Sequence, residues 1–238
     1  MLKNQTSIVD DRGYNQGFKE TYALQKRMTR RADWMIKEMS LAPTKRVLEI
    51  GCGTGYVSYY IAKQTGMQVI GSDLCKPFIE GAKQRYVLPN LSYDTLDFNQ
   101  AATQIDQKFD YIIGNGILHH LYYNLDEVLV AFKKLLNPEG KIIFMEPNIY
   151  NPYVALIFKN KTLRKWAKLE PDEMAFSKSF INEKLEKAAF TNIHTIYKDF
   201  LLPGVPKPLV MPSILIGDVL EKTSLKYISQ SILICATK

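Results

Sequence analysis

Apolar residues recur at helical spacing over residues 18–40: Phe18, Tyr22, Leu24, Met28, Trp34, Met35 and Met39, with Lys26, Arg27, Arg30 and Arg31 between them. The spacing predicts one or two N-terminal helices, ended by Pro43. Short apolar runs then alternate with amphipathic stretches. Strands are predicted at 46–50, 68–73, 91–97 and 109–115, and helices at 56–64, 77–87 and 125–136. Pro77 stands in the first turn of its helix, where its missing N–H has no partner to lose. The turn NPEG, 137–140, leads into a strand at 141–146. Alternation of this size predicts an α/β fold, a mainly parallel sheet with helices on both faces.

The pattern changes after residue 146. Residues 147–180 hold Pro147, Pro152, Pro171 and the basic stretch KNKTLRKWAK at 159–168, and read as an insertion of helices and loops. A helix returns at 182–190, and strands are expected at 191–200 and 224–238. Between those strands, LLPGVPKPLVMPSILIG at 201–217 is apolar but carries four prolines, which excludes a long regular helix on the usual rule. The expectation is one domain, 1–238, with an N-terminal helical cap at about 14–42 and insertions at about 147–180 and 201–223.

Composition narrows the picture only a little. The chain has 238 residues, 46% of them hydrophobic and 23% charged, as in an ordinary globular protein. No apolar run approaches the ~18 residues of a membrane span, and the opening residues lack the apolar core of a secretory signal. Cys52, Cys75 and Cys235 form neither a CxxC pair nor a metal spacing, so no metal is expected and a cytoplasmic location is. A net charge of +7 suits a nucleic acid, an anionic membrane or an acidic substrate without selecting among them.

VLEIGCGTG at 47–55 carries the first chemical information. Gly51, Gly53 and Gly55 follow a predicted strand and open a predicted helix, at the carboxyl end of the sheet where open α/β folds bind ligands. The spacing is GxGxG rather than the GxGxxG of dinucleotide sites, and no P-loop lysine follows. Glu49 would repel a phosphate and suits a cation such as an α-ammonium. Asp73 ends the second strand, where a carboxylate can accept hydrogen bonds from ribose hydroxyls. Together these ask for a ribose-bearing ligand with a positive end and no pyrophosphate, and S-adenosylmethionine fits.

With GSD at 71–73, LDF at 96–98, FDYIIGNGILHHL at 109–121 and LNPEGKIIFMEPN at 136–148, the chain resembles the class I S-adenosylmethionine-dependent methyltransferases of the small-molecule type. The resemblance covers 46–146. It implies a Rossmann-like seven-stranded sheet whose last strand is antiparallel. It also implies that Gly51, Cys52 and Gly53 wrap the methionine part, that Asp73 holds the ribose, and that Leu74 lies against adenine. Asp97 and Phe98 would meet the adenine amino group and ring, and Asn115 and Gly116 would line the methionine side. Family members often carry an acidic residue after the fourth strand, where this chain has Asn115-Gly116.

Methyl transfer needs the nucleophile and methyl group held in line, and a hydroxyl or protonated acceptor needs a base. His119 and His120 follow the fourth strand and are the natural candidates. Neighbours on a helix point about 100° apart, so one faces the cleft. The resemblance aligns His120 with a recurrent histidine, which leaves His119 as the group expected to face substrate. Glu146 ends the fifth strand and is expected to open onto the cleft, where it or Asn148 could orient an acceptor.

The preferred acceptor is a small molecule or a lipid- or glycan-linked group, methylated at oxygen. A peripheral membrane contact stays open, through the apolar 201–217 segment or the basic stretch around Trp166. A nucleic acid is not favoured, because no recognisable binding surface or NPPY-type motif is present. An RNA methyltransferase and a non-catalytic methyltransferase-like subunit remain as rivals, as does a nicotinamide-dependent dehydrogenase, which the loop spacing and Glu49 oppose.

Overall fold

The computed structural model describes residues 21–96, 107–167, 169 and 173–238. Seven strands among them form one sheet in the order β3-β2-β1-β4-β5-β7-β6. They are β1 (Arg46–Ile50), β2 (Gln68–Asp73), β3 (Leu91–Thr95), β4 (Phe109–Asn115), β5 (Leu136–Pro147), β6 (Thr191–Lys198) and β7 (Ser231–Thr237). The first five pair in parallel, while β7 runs antiparallel to both β5 and β6. Strand order reverses between β1 and β4, so their carboxyl ends diverge there and leave a crevice.

The helices are α1 (Tyr22–Lys37), α2 (Tyr56–Thr65), α3 (Lys76–Arg85), α4 (Leu125–Leu135), α5 (Pro152–Lys159), α6 (Lys161–Trp166), α7 (Lys178–Lys187) and α8 (Lys207–Leu220). Because strands bury both faces, β1 and β4 read as continuous apolar runs rather than alternating ones. Leu48, Ile112 and Phe144 face α4 and α7, packing on Phe132 and Leu185. Val47, Ile113 and Met145 face α1 and α2, packing on Met35 and Ile61. Each such fully buried side chain contributes roughly 1.5–3 kcal/mol.

Several expectations change, among them the turn NPEG at 137–140, which lies within β5. The 201–217 segment contains the fourteen-residue helix α8. Pro203 and Pro206 precede it and Pro208 lies in its first turn, where no intrahelical donor is needed, so only Pro212 interrupts the ladder. The C-terminal strand starts at Ser231, because Ser224–Ile228 form a 3-10 turn capped by the Thr223 hydroxyl. The N-terminal helix begins at Tyr22, capped by Thr21, whose hydroxyl accepts the Leu24 N–H at 3.0 Å; residues 14–20 of the expected cap lie outside the described residues.

Val210 and Ile214 anchor α8 on Ala23 and Leu201. Its other side presents Leu209, Met211, Leu215, Ile216 and Val219, each more than half exposed. No helix among the described residues is long and apolar enough to cross a membrane.

Candidate active site at the carboxyl end of the sheet

The turn after β1 has positive φ at Gly51, Gly53 and Gly55. Gly51 is required sterically: a Cβ there would come within 2.5 Å of the Ile117 side chain, so glycine lets the loops after β1 and β4 touch. At Gly53 nothing lies within 4 Å of where a Cβ would stand, leaving its backbone open for a ligand to approach closely. Gly55 opens α2. Asp73 braces this loop. Its Oδ2 accepts the Gly53 N–H at 2.8 Å and its Oδ1 accepts the Cys75 N–H at 2.9 Å. Leu74, beside it, is 41% exposed. The Cys52 N–H donates to the Ser72 carbonyl at 2.9 Å, and its buried thiol is pushed well above its ordinary pKa by burial and then by Glu49. An open glycine backbone, a ribose-competent carboxylate and an exposed apolar side chain in sequence along one crevice fit S-adenosylmethionine.

Glu49 is only 1% exposed and accepts a hydrogen bond from the Ser58 hydroxyl of α2. Burial raises its pKa to about 7. An unfolded glutamate titrates near ~4.3. Between those values the folded chain keeps a proton that the unfolded chain releases. Stability therefore falls as pH rises from about 4 and levels off above 7, by of order 3 kcal/mol. Glu49→Gln should be nearly isosteric and removes this slope. Denaturant titrations should show the variant gaining on the parent between pH 5 and pH 8; parallel pH profiles would refute the shift.

After β4, the Asn115 Oδ1 accepts the Arg31 Nη1–H at 2.8 Å, and the Gly116 N–H donates to the Met145 carbonyl at 2.8 Å. The chain then folds over the end of β5 as a 3-10 helix, Leu118–Asn124. This corrects the expectation for Glu146, which does not open onto the cleft. Its carboxylate is fully buried and accepts the backbone N–H groups of Ile117 (3.0 Å), Leu118 (2.9 Å) and His119 (3.3 Å). The His119 Nδ1 lies 2.9 Å from its Oε2. Glu146 is a positioning residue. Asn148 is likewise withdrawn: its amide donates to the Tyr227 and Ser229 carbonyls, at 2.8 and 2.7 Å, and its Oδ1 accepts the Tyr150 N–H.

The two histidines do not diverge as helical neighbours would. Their ring centroids are 4.3 Å apart, and both approach Glu173. The His120 Nδ1 is 3.1 Å from its Oε1, and the His119 Nε2 is 3.9 Å from its Oε2. The Glu173 carboxylate is 1% exposed. Asp97 and Phe98 lie outside the described residues.

A family model described as a methyltransferase domain matches residues 41–200. The chain belongs to the S-adenosylmethionine-dependent methyltransferases. It is 27% identical over 138 residues to the S-adenosyl-L-methionine-dependent Diels-Alderase iccD of Talaromyces variabilis, covering 56% of this chain and 47% of that protein. It is 30% identical over 171 residues to the ubiquinone biosynthesis O-methyltransferase of Dechloromonas aromatica, covering 60% of this chain and 72% of that one. A solved S-adenosylmethionine-dependent methyltransferase from Archaeoglobus fulgidus has the same fold, with a TM-score of 0.64 at 18% identity over 90% of this chain and 94% of that one. The chain spans less than half the length of the Diels-Alderase and of several other curated relatives it matches. S-adenosylmethionine is the methyl donor of this family.

Two parts of this candidate site escape a sequence reading. Arg31 is one of several basic residues set between the apolar positions of the N-terminal helix, with nothing to mark it out, yet it is buried and joins Asn115, Asp199 and Ser231. Glu173 lies in the 147–180 insertion, and the only local signal is the acidic run EPDE, 170–173, inside an otherwise basic segment.

Proposed function

We propose that this methyltransferase transfers a methyl group to the oxygen of a small-molecule or lipid-linked acceptor. The observation that carries this reading is the His119 imidazole. Glu146 engages its Nδ1 at 2.9 Å, so in the neutral ring Nε2 is the lone-pair nitrogen. That nitrogen stands one turn beyond Gly116, in the loop that touches Gly51. A base so placed matters for a hydroxyl, which must lose its proton to become a nucleophile. When bound, S-adenosylmethionine supplies a methyl group already activated on a positive sulfur. The Gly53 backbone and Asp73 would hold its ribose side, Leu74 its adenine, and Asn115 and Gly116 its methionine side, with Asp97 and Phe98 assigned to adenine by family resemblance. Similarity to an O-methyltransferase supports oxygen as the target.

A lipid-linked acceptor and a peripheral contact with an anionic membrane are supported by the exposed apolar face of α8, beside the exposed Lys207, Lys222 and Lys226. The same reading places the protein in the cytoplasm, where the buried thiols of Cys52, Cys75 and Cys235 stay reduced.

Asp73→Ala should weaken S-adenosylmethionine binding at least tenfold, since a buried hydrogen bond to a charged group is worth ~1.5–3 kcal/mol. Unchanged affinity in calorimetry would remove Asp73 from the ribose site. The function itself is tested by following labelled methyl from S-adenosylmethionine into a fractionated cell extract. Label in the organic or small-molecule fraction supports the proposal. Label in nuclease-sensitive material makes the acceptor a nucleic acid, and cofactor binding without any labelled product makes the chain a non-catalytic subunit; either result refutes it.

A further inference from the structure

We propose that His119, His120 and Glu173 form a binding site for one divalent transition-metal ion beside the methyl donor. One donor atom from each of the three lies within 4.8 Å of the others. Ions such as zinc bind imidazole nitrogen at ~2.0–2.1 Å and carboxylate oxygen at ~2.0–2.2 Å, which places neighbouring ligand atoms about 3 Å apart. The His120–Glu173 separation, 3.1 Å, already has that value. That contact is to Oε1, whereas the His119 Nε2 lies 3.9 Å from the other oxygen, Oε2, so the carboxylate would chelate through both oxygens after a side-chain shift of about 1 Å.

The surroundings match a metal centre in three further respects. Metal-binding histidines characteristically give their second ring nitrogen to a carboxylate, which fixes the tautomer and orients the ring. Glu146 does this for His119, and is itself fixed by three backbone amides. The segment bearing Glu173 is tied to the histidine segment through the Met174 N–H, which donates to the His119 carbonyl at 3.1 Å. Arg164 holds it from the other side, its Nη1 donating to the Glu173 carbonyl at 2.9 Å. The cluster is also nearly dry but not sealed: the histidine side chains are 12% and 18% exposed.

Two imidazoles and one carboxylate suit zinc, manganese, iron, cobalt or nickel, and disfavour the all-oxygen ions calcium and magnesium. Three protein ligands leave positions open for an exogenous oxygen, as in catalytic rather than structural sites. The use of those positions rests on the methyl-transfer reading. With His119 Nε2 on the ion it no longer serves as the base; an acceptor hydroxyl bound to the ion has its pKa lowered instead, and its proton passes to solvent. The oxygen–carbon bond then forms as the carbon–sulfur bond breaks, and the sulfonium becomes a neutral thioether.

The test uses the whole chain, stripped with EDTA and titrated with Co2+ and Zn2+. One equivalent of Co2+ should bind with a visible ligand-field band, and Zn2+ should displace it. Glu173→Gln and His120→Asn should each weaken Co2+ binding by more than the ~10–100-fold expected of Glu146→Gln, which touches a ligand and not the ion. Retained affinity for S-adenosylmethionine shows that each variant is folded. No Co2+ or Zn2+ binding by the parent chain, or parent-like Co2+ affinity in folded Glu173→Gln, refutes the site. Methyl transfer that persists in metal-stripped protein without metal binding removes this inference and leaves the proposed function standing. Co2+ binding at the three residues, with no methyl label entering any fraction, does the reverse.

Discussion

Replacing Asp199 by alanine is expected to lower the free energy of unfolding by about 3–5 kcal/mol, the range for breaking a buried ion pair from one side. Asp199 follows β6 and is 1% exposed. Its Oδ2 accepts from the Arg27 Nε at 2.7 Å and the Arg31 Nε at 2.8 Å, and its Oδ1 accepts the Leu201 N–H at 3.1 Å. Burial, and after it the neighbouring Arg27, draw the Arg31 pKa down to about 10, so the guanidinium stays charged at neutral pH and needs a counter-charge. For Asp199 burial acts upward, but Arg27 and Arg31 together outweigh it and hold the carboxyl below its ordinary pKa. Its stabilisation is therefore complete above the unfolded value near ~3.9 and is lost as pH falls through the lower folded value. Urea titrations should show the loss at pH 7 and a shallower acid limb in the variant.

Asp199 has φ of +73°, so alanine also adds backbone strain. Asparagine tolerates that conformation, which makes Asp199→Asn the variant that isolates the charge. Asp199→Asn within about 0.5 kcal/mol of the parent, the scatter of a neutral surface change, would defeat the argument. Because Arg31 also holds Asn115, both variants should weaken cofactor binding as well.

The features readable in the sequence are those whose cause is local. β1, β4 and the helix opening at Tyr56 follow from contiguous apolar runs and a glycine turn. Asp73 is legible for the same reason, since it ends a strand beside that turn and its partners, Gly53 and Cys75, are close in the fold. Helix α8 escapes a reading that counts prolines without placing them: Pro208 occupies the first turn, where a proline is harmless. Glu146 is recognisable as important, but its direction is not. Whether a strand-end carboxylate meets solvent depends on what folds over it, and the three amides of Ile117–His119 arrive from a separate crossover. Arg31 and Glu173 depend on contacts between distant segments, and no periodicity marks either.

Glu146→Gln should reduce turnover by ~10²–10⁴-fold, the range for losing a positioned general base, while changing S-adenosylmethionine affinity by only a few-fold. The amide is nearly the same size, so its oxygen can still accept from Ile117 and Leu118. Its nitrogen would then face the His119 ring. As a carboxylate, Glu146 can only accept, so a neutral His119 ring carries its proton on Nδ1 and presents the lone pair on Nε2. The amide donor of the Glu146→Gln variant favours the opposite tautomer, with Nδ1 accepting and Nε2 protonated. A protonated Nε2 must give up that proton before it can take one from an acceptor hydroxyl or bind a metal ion, so both uses of His119 weaken together. Nitrogen-15 spectra of the imidazoles distinguish this from general loosening. The tautomer should switch at His119 while the other histidine signals hold, and turnover should fall in the same variant. Unswitched signals with parent-like turnover would mean that the buried carboxylate serves only to stabilise the loop after β4.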